Sequence, residues 1–273
     1  MLWTAIAANA ASDQLLSDVP VSAPIDPNSA GRGGDIATRS VMRIFCIDHG
    51  TFGTGFLHKS GNIITADHVV HDCKSLRLVL SDNTNEAATV VAEDQDRDLA
   101  AIKPNAPIKA EALPIASSDD FKVGTEVSTW GFPAGYFGLS PMLSVGYLAG
   151  VDAVRLKDGT IVRQWVVNAA FNGGNSGGPL IQIENGEVFG VVSSKLAPIS
   201  PEAASILQAL EKNAGTGVMY NGKTADGKDI HATEGQLVAK VLTELRNQVQ
   251  LVIGKAVILG DLKTFLTTNK IDP

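Results

Sequence analysis

The 273-residue sequence lacks several features that would assign its class at once. No apolar run approaches the roughly 20 residues that a membrane-spanning helix requires. Cations are in the minority: 22 Lys and Arg stand against 29 Asp and Glu, for a formal net charge of −7, and there is no basic stretch. That balance argues against nucleic acid or an anionic membrane surface as the main partner. Cysteine is nearly absent. Cys46 and Cys73 allow one disulfide and nothing like a disulfide framework, which leaves the compartment open. Helical periodicity is scarce before residue 200, and the chain shows no internal repeat. The start, Met1–Ala11, is apolar and closes on small residues but has no positive leading region. It is a poor secretion signal and reads as a trimmed remnant of one or as a flexible start.

What is present is a succession of short strand signals. Residues 1–38, with Pro20, Pro24 and Pro27, read as a tether carrying one helical turn near Ser12–Leu16. A first β unit is expected over 39–105, where Leu76, Leu78 and Leu80 alternate with polar neighbours as in a half-buried strand. Pro107 and Pro114 mark a linker over 106–118, and a second β unit follows over 119–195. Its last hairpin turns at Asn185-Gly186, a type I′ signal. Short strands between Gly/Pro turns point to an all-β protein of barrels or a sandwich. Residues 196–250 read as a partly helical insertion: a helix over Ala203–Lys212, a polar Gly-rich loop over Gly215–Glu234, and a second helix carrying Leu237, Val241 and Leu245. Residues 251–273 return to a strand and close on a short helix.

Chemistry concentrates in Phe171-Asn172-Gly173-Gly174-Asn175-Ser176-Gly177-Gly178-Pro179. Glycine tolerates backbone angles that a side chain forbids. A serine held among glycines can expose its hydroxyl beside backbone N–H groups, which is the arrangement acyl transfer needs. Taken alone, the stretch is equally a Gly-rich hairpin loop. A base is therefore needed, and His68 is the candidate, because Ile63-Ile64-Thr65-Ala66-Asp67 is an apolar strand that ends abruptly in it. His49, His58 and His231 read as surface residues. His71 with Asp72 and Cys73 raises a metal site, but no second pair at ligand spacing completes four ligands, so no metal is expected. For the acid, Asp98 enters an apolar strand and must find a partner there, which an imidazole N–H would supply.

Four motifs in order then resemble trypsin-like serine proteases, and most closely the bacterial HtrA (DegP-like) branch. They are Gly53-Thr54-Gly55-Phe56-Leu57, Thr65-Ala66-Asp67-His68-Val69-Val70, Asp98-Leu99-Ala100 and Gly174-Asn175-Ser176-Gly177-Gly178-Pro179. The separations, 98 − 68 = 30 and 176 − 98 = 78, resemble that branch as well, and the likeness spans roughly residues 40–195. The resemblance implies two six-stranded antiparallel β-barrels, here with the partly helical insertion and a C-terminal helix. It implies a triad of Ser176, His68 and Asp98, an oxyanion hole from the N–H groups of Gly174 and Ser176, a polypeptide substrate, and neither metal nor organic cofactor. It also implies a periplasmic or extracellular setting, and it leaves the oligomeric state unassigned.

The sequence departs from that pattern in places. Asp67 stands where a small uncharged residue is usual, and its carboxylate either perturbs His68 or points to solvent. Gly173 replaces a common proline, and Asn175 replaces the aspartate that digestive relatives pair with a newly cut N-terminus. Neither the long regulatory loop of DegP-like proteases nor a PDZ-like domain is evident. Ala170, Phe171, Ser193, Ser194 and Lys195 are expected to line the primary pocket, with a small or medium apolar residue preferred there. Related enzymes often tie together the regions of Cys46 and Cys73, so the resemblance also implies a Cys46–Cys73 bond. Two alternatives stay open: a catalytically silent protease-like binding module, and a Gly-x-Ser-x-Gly α/β-hydrolase using Asp226 and His231.

Overall fold

Val41-Met42-Arg43-Ile44-Phe45-Cys46 shows how these strands are made. Its β-branched and apolar residues alternate between a sealed and a half-open face, and the segment forms β1 (Val41–Cys46). A computed structural model describes residues 34–155, 159–195, 201–212, 218–223, 229–248 and 253–273. The first 33 residues, with the expected turn near Ser12–Leu16, lie outside the described residues. The expected tether ends too late, because residues 34–40 form helix α1 (Gly34–Ser40). Its Gly-Asp start and single apolar side carry too little periodicity to be read in one short stretch.

After β1 come β2 (Thr51–Leu57), β3 (Ile63–Thr65), helix α2 (Asp67–Val70), β4 (Leu76–Val79), β5 (Asn85–Asp94) and β6 (Leu99–Pro104). These strands close a barrel in the order β1-β2-β3-β6-β5-β4. A second closed barrel, β10-β11-β14-β9-β8-β7, is built from β7 (Glu126–Gly131), β8 (Met142–Arg155), β9 (Ile161–Asn168), β10 (Pro179–Gln182), β11 (Val188–Lys195) and β14 (Gly254–Ile258). Every pairing in both barrels is antiparallel. The protein thus contains two six-stranded antiparallel barrels, and among the described residues before Ser176 the helices are only α1 and the four-residue α2, with no regular alternation of strand and helix and no parallel pairing of the barrel strands. The α/β-hydrolase alternative is excluded on this ground.

Three apolar clusters hold the barrels. Ile44, Ile63, Leu78 and Ile102 fill the first, and Val127, Trp165, Leu180 and Phe189 fill the second. The third lies between them, where Phe56, Ile64 and Leu99 of the first barrel meet Trp130, Phe132 and Val191 of the second. The closing helix α5 (Leu259–Thr268) lays Leu262, Phe265 and Leu266 on that seam. Arg97 adds a polar tie, pairing with Asp94 at 2.9 Å and with Asp261 of α5 at 3.1 Å. Cys46 and Cys73 are bonded, joining the end of β1 to the segment after α2.

The hairpin at Asn185-Gly186 is not a two-residue type I′ turn. Gln182 N–H reaches the Glu187 carbonyl at 3.0 Å across a four-residue loop, and within the loop only Gly186 is left-handed, at φ +77°. The extra residues relax the twist requirement that would force both central positions to positive φ.

Residues 197–249 belong to a separate compact unit. Its described parts are α3 (Pro201–Lys212), β12 (Met219–Lys223), β13 (Asp229–Thr233) and α4 (Glu234–Gln248). The expected Gly215–Glu234 loop is therefore corrected at 219–223 and 229–233, where β12 and β13 pair antiparallel. All five residues of β12 are exposed, so no buried face imposes a period-two pattern that a sequence reader could find. Thr233 and Gln236 start α4 with a reciprocal cap: Gln236 N–H donates to Thr233 Oγ1 and Thr233 N–H to Gln236 Oε1.

Candidate active site

Asp98 sits on the tight turn between β5 and β6 in the left-handed region, at φ +57°. Short polar residues tolerate that conformation better than most. The turn presents its carboxylate to the residues that open α2. His68 N–H donates to Asp98 Oδ1 at 3.0 Å, and His68 Nδ1 lies 2.8 Å from Oδ1 and 2.9 Å from Oδ2. The carboxylate thus holds both the backbone and the ring of His68, and it fixes Nδ1 as the protonated nitrogen. Burial alone would lower the pKa of His68. The hydrogen bond and charge of Asp98, joined by the charge of Asp67, outweigh it and hold the ring above its ordinary value.

The question raised by Asp67 is answered by its burial, since its side chain is only 7% exposed. Burial, with the charges of Glu93 and Asp98, pushes its carboxyl pKa up. It does not point to solvent.

The serine loop is held from the first barrel. Thr54 N–H donates to the Ser176 carbonyl at 2.8 Å, while Thr54 Oγ1 donates to the Gly174 carbonyl at 2.6 Å and accepts Phe132 N–H at 3.1 Å. Two glycines are dictated here by close approach and positive φ. At Gly174, φ +94°, a Cβ would stand 2.3 Å from the Phe132 carbonyl oxygen. At Gly177, φ +85°, it would stand 2.1 Å from the Thr54 carbonyl oxygen. Among the described residues, no protein acceptor engages the N–H of Gly174 or of Ser176.

A cleft of about 320 Å³ is lined by His68, Phe171, Asn172, Gly173, Ser176, Val192 and Ser193. His68 comes to it from the first barrel and Ser176 from the second. No hydrogen bond joins them: Ser176 Oγ donates to the Ser193 carbonyl at 3.0 Å. Of the expected pocket residues, Phe171 and Ser193 line the cleft. Ala170 does not; it is exposed, and its carbonyl accepts from Ser144 Oγ at 3.2 Å. The side chains of Ser194 and Lys195 lie outside the described residues.

Ser193 also does something the sequence does not announce. Its hydroxyl donates to Asp98 Oδ2 at 2.5 Å, so the carboxylate is gripped from the second barrel as well as by His68. Thr54 was equally unassigned, although its flanking glycines were a signal. Gly53 lets the chain pass where a Cβ would meet the side chain of Val69 at 2.5 Å and the Ser176 carbonyl oxygen at 3.0 Å. Asn172, named in the serine stretch but given no role there, lines the cleft as well.

Known proteins bear on this geometry. Residues 53–191, just over half of the chain, match the family described as "Trypsin-like peptidase domain". The chain is 36% identical over 158 residues to Protease Do-like 1, chloroplastic, of Arabidopsis thaliana, covering 56% of this chain and 34% of that one. It is 39% identical over 143 residues to a probable periplasmic serine endoprotease DegP-like of Chlamydia pneumoniae, covering 51% and 28%. The matched region thus spans about a third of those relatives. Among solved structures, Rv3671c of Mycobacterium tuberculosis H37Rv, in an inactive form, aligns over 92% of this chain and 97% of that one with a TM-score of 0.60. At 19% identity that likeness speaks to the fold alone. The matched span contains His68, Asp98 and Ser176, and the chain belongs to the trypsin-like peptidase family, among relatives of the DegP type.

Proposed function

We propose that the protein is a serine endopeptidase that cleaves polypeptides through Ser176, His68 and Asp98. The observation that carries this reading is the cleft shared by His68 and Ser176, with Asp98 bonded to the far side of the imidazole. With Nδ1 engaged, Nε2 is the nitrogen left to take a proton. Rotation about the Cα–Cβ bond of Ser176 moves its hydroxyl from the Ser193 carbonyl toward that nitrogen, a local step that apo enzymes commonly require. Ser176 Oγ then attacks the peptide carbonyl while His68 takes its proton. The free N–H groups of Gly174 and Ser176 stabilise the oxyanion, each contributing about 3–4 kcal/mol in such sites. His68 returns the proton to the leaving amine; water then attacks the acyl carbonyl while His68 takes its proton, and His68 gives that proton to Ser176 Oγ as the ester bond breaks. No metal or organic cofactor takes part.

The described cleft wall carries no Lys, Arg, Asp or Glu, and Phe171 and Val192 make it apolar. A small or medium apolar residue before the scissile bond fits it. DegP-like relatives are named periplasmic, which supports a periplasmic or extracellular setting.

A fluorophosphonate probe tests the reading, since it phosphonylates only an activated serine. Labelling of the folded protein that disappears in Ser176→Ala is the expected result. The resting Ser176–Ser193 bond is what a silent binding module would keep. Absence of labelling in the folded wild-type protein would establish that alternative and overturn the enzyme.

A further inference from the structure

We infer that Asp67, His71 and Glu93 form a site for one divalent transition cation, Zn²⁺ foremost, on the first barrel beside His68. Their donor atoms, one carboxylate oxygen each from Asp67 and Glu93 and one ring nitrogen from His71, all lie within 4.8 Å of one another. His71 Nδ1 is 3.7 Å from Asp67 Oδ2 and 3.6 Å from Glu93 Oε1. Those separations are too long for hydrogen bonds. They are close to the edges of a tetrahedron, about 3.3–3.5 Å, that bonds of 2.0–2.1 Å to zinc would create.

A second observation points the same way. Asp67 Oδ1 is buried and has no hydrogen-bond partner among the described residues, in a side chain more than nine-tenths hidden from water. A carboxylate sealed in this way is costly unless a cation or donors compensate it. The fold sets beside it a second carboxylate, Glu93, whose oxygen approaches the same ring nitrogen of His71. Two acids converge on His71 Nδ1 with no direct bond among the three; the Gln95 side-chain amide is the other neighbour of that nitrogen, at 3.3 Å, and it turns aside when an ion binds. His71 and Glu93 are each more than a third exposed, which leaves an entry path and a fourth position for water. One imidazole with two carboxylates suits zinc and its neighbours better than calcium or magnesium, which prefer all-oxygen shells.

The placement gives the ion a mechanical role. Asp67 opens α2, the helix that carries His68, and the His71 N–H donates to the Asp67 carbonyl at 2.8 Å. Glu93 lies on β5 opposite Ala100 of β6, the strand entered directly from Asp98. A cation bound by all three braces the His68 helix against the hairpin that carries Asp98. This departs from the sequence expectation of no metal. Asp67 and His71 are one helical turn apart, but the third donor lies 93 − 71 = 22 residues further on, in a strand, and no linear spacing marks it.

The test uses the full chain with Ser176→Ala, so that no self-cleavage intrudes. Isothermal titration with ZnCl₂ should give one ion per chain, and zinc should raise the thermal midpoint. Affinity should fall at least about tenfold in His71→Ala and in Glu93→Gln, with the midpoint shift lost. It should persist in His49→Ala and in His68→Ala, and magnesium and calcium should not compete. Glu93→Gln, nearly isosteric and half-exposed, keeps the comparison available if His71→Ala fails to fold. The proposal is overturned if the parent binds no zinc, if the folded His71→Ala or Glu93→Gln protein binds it as tightly, or if binding is lost in His68→Ala instead. Calcium or magnesium displacing zinc overturns the transition-cation assignment.

Discussion

Replacing Thr54 by valine probes the link between the first barrel and the serine loop. Valine keeps the shape of threonine but removes the hydroxyl. Gly174 then loses the 2.6 Å donor on its carbonyl, and the Phe132 N–H loses its 3.1 Å acceptor. Thr54 is fully buried, so water cannot replace either partner. A buried polar group left unpaired costs about 1–3 kcal/mol, which puts the combined loss near 3 kcal/mol. At about 2–4 °C per kcal/mol for a domain of this size, the thermal midpoint should fall by roughly 6–12 °C. The second consequence is catalytic. The carbonyl freed in Thr54→Val belongs to Gly174, whose N–H is one of the two proposed oxyanion donors. Losing one such donor outright costs about a hundredfold or more in rate, so a partly misplaced donor should slow acylation by about 10–100-fold.

Stopped-flow acylation by an activated ester, at a temperature where the variant is folded, measures the rate. Thermal unfolding followed by circular dichroism measures the stability. Thr54→Ser is the control. It restores both hydrogen bonds and gives up only the methyl, which faces the backbone at Gly178. It should recover most of the rate. A Thr54→Val protein with an unchanged midpoint would refute the energetic argument. A lowered midpoint with an unchanged acylation rate would refute the proposed connection between Thr54 and the oxyanion donors while leaving its structural part intact.

Other substitutions test neighbouring steps. Gly174→Ala should lose at least about 3 kcal/mol in urea unfolding, from positive φ and overlap with the Phe132 carbonyl. Gly173→Ala, where nothing stands within 4 Å of the added carbon and φ is not left-handed, should be neutral or gain about 0.4–1 kcal/mol; equal losses at the two positions would sink the distinction. Asn175 is buried and its Oδ1 has no partner among the described residues, so Asn175→Asp should cost about 3–5 kcal/mol at neutral pH as an uncompensated charge. Burial raises the folded pKa of such an acid, so the penalty grows as pH climbs from about 4 toward that pKa and shrinks on acidification. A penalty independent of pH between 4 and 8 would show that charge is not its origin. The Cys46–Cys73 bond closes a loop with a sequence separation of 27, so reduction should remove about 3–4 kcal/mol of stability; coincident urea transitions with and without reductant would contradict this.

What the sequence made legible was mostly backbone chemistry confined to a few neighbouring residues. Gly174 and Gly177 on either side of Ser176 declare a turn because a side chain does not fit there, and the alternation of Leu76 and Leu78 declares a half-buried strand because the side-chain period of a strand is two. Asp98 could be chosen since it enters an apolar run directly, and the fold brings it to His68 across 30 residues. Where the environment imposes no pattern, reading failed. The exposed β12–β13 ribbon has no sealed face, and the loop at Asn185-Gly186 meets its geometry with one left-handed residue where two were inferred.

The contacts that escaped are hydroxyl bonds between distant strands. Thr54 reaches Gly174 across 120 residues, and Ser193 reaches Asp98 across 95. A threonine or serine in a strand is unremarkable by propensity, and its role is set by which backbone group of the other barrel faces it. That dependence has a physical consequence for the site. His68 and Asp98 lie on the first barrel, Ser176 on the second, and no bond joins His68 to Ser176 in the resting state. Their alignment therefore rests on the polar ties that cross the seam. The Thr54 N–H and hydroxyl hold the carbonyls of Ser176 and Gly174, and the Ser193 hydroxyl holds Asp98. Apolar packing along the seam supplies most of the burial but is tolerant of small slips, because one methylene replaces another at little cost. Hydrogen bonds of 2.5–2.8 Å are not tolerant in that way. The register of the two barrels, and with it the distance His68 must bridge to Ser176, is fixed by a few buried donors whose loss would leave a well-packed protein with a misaligned site.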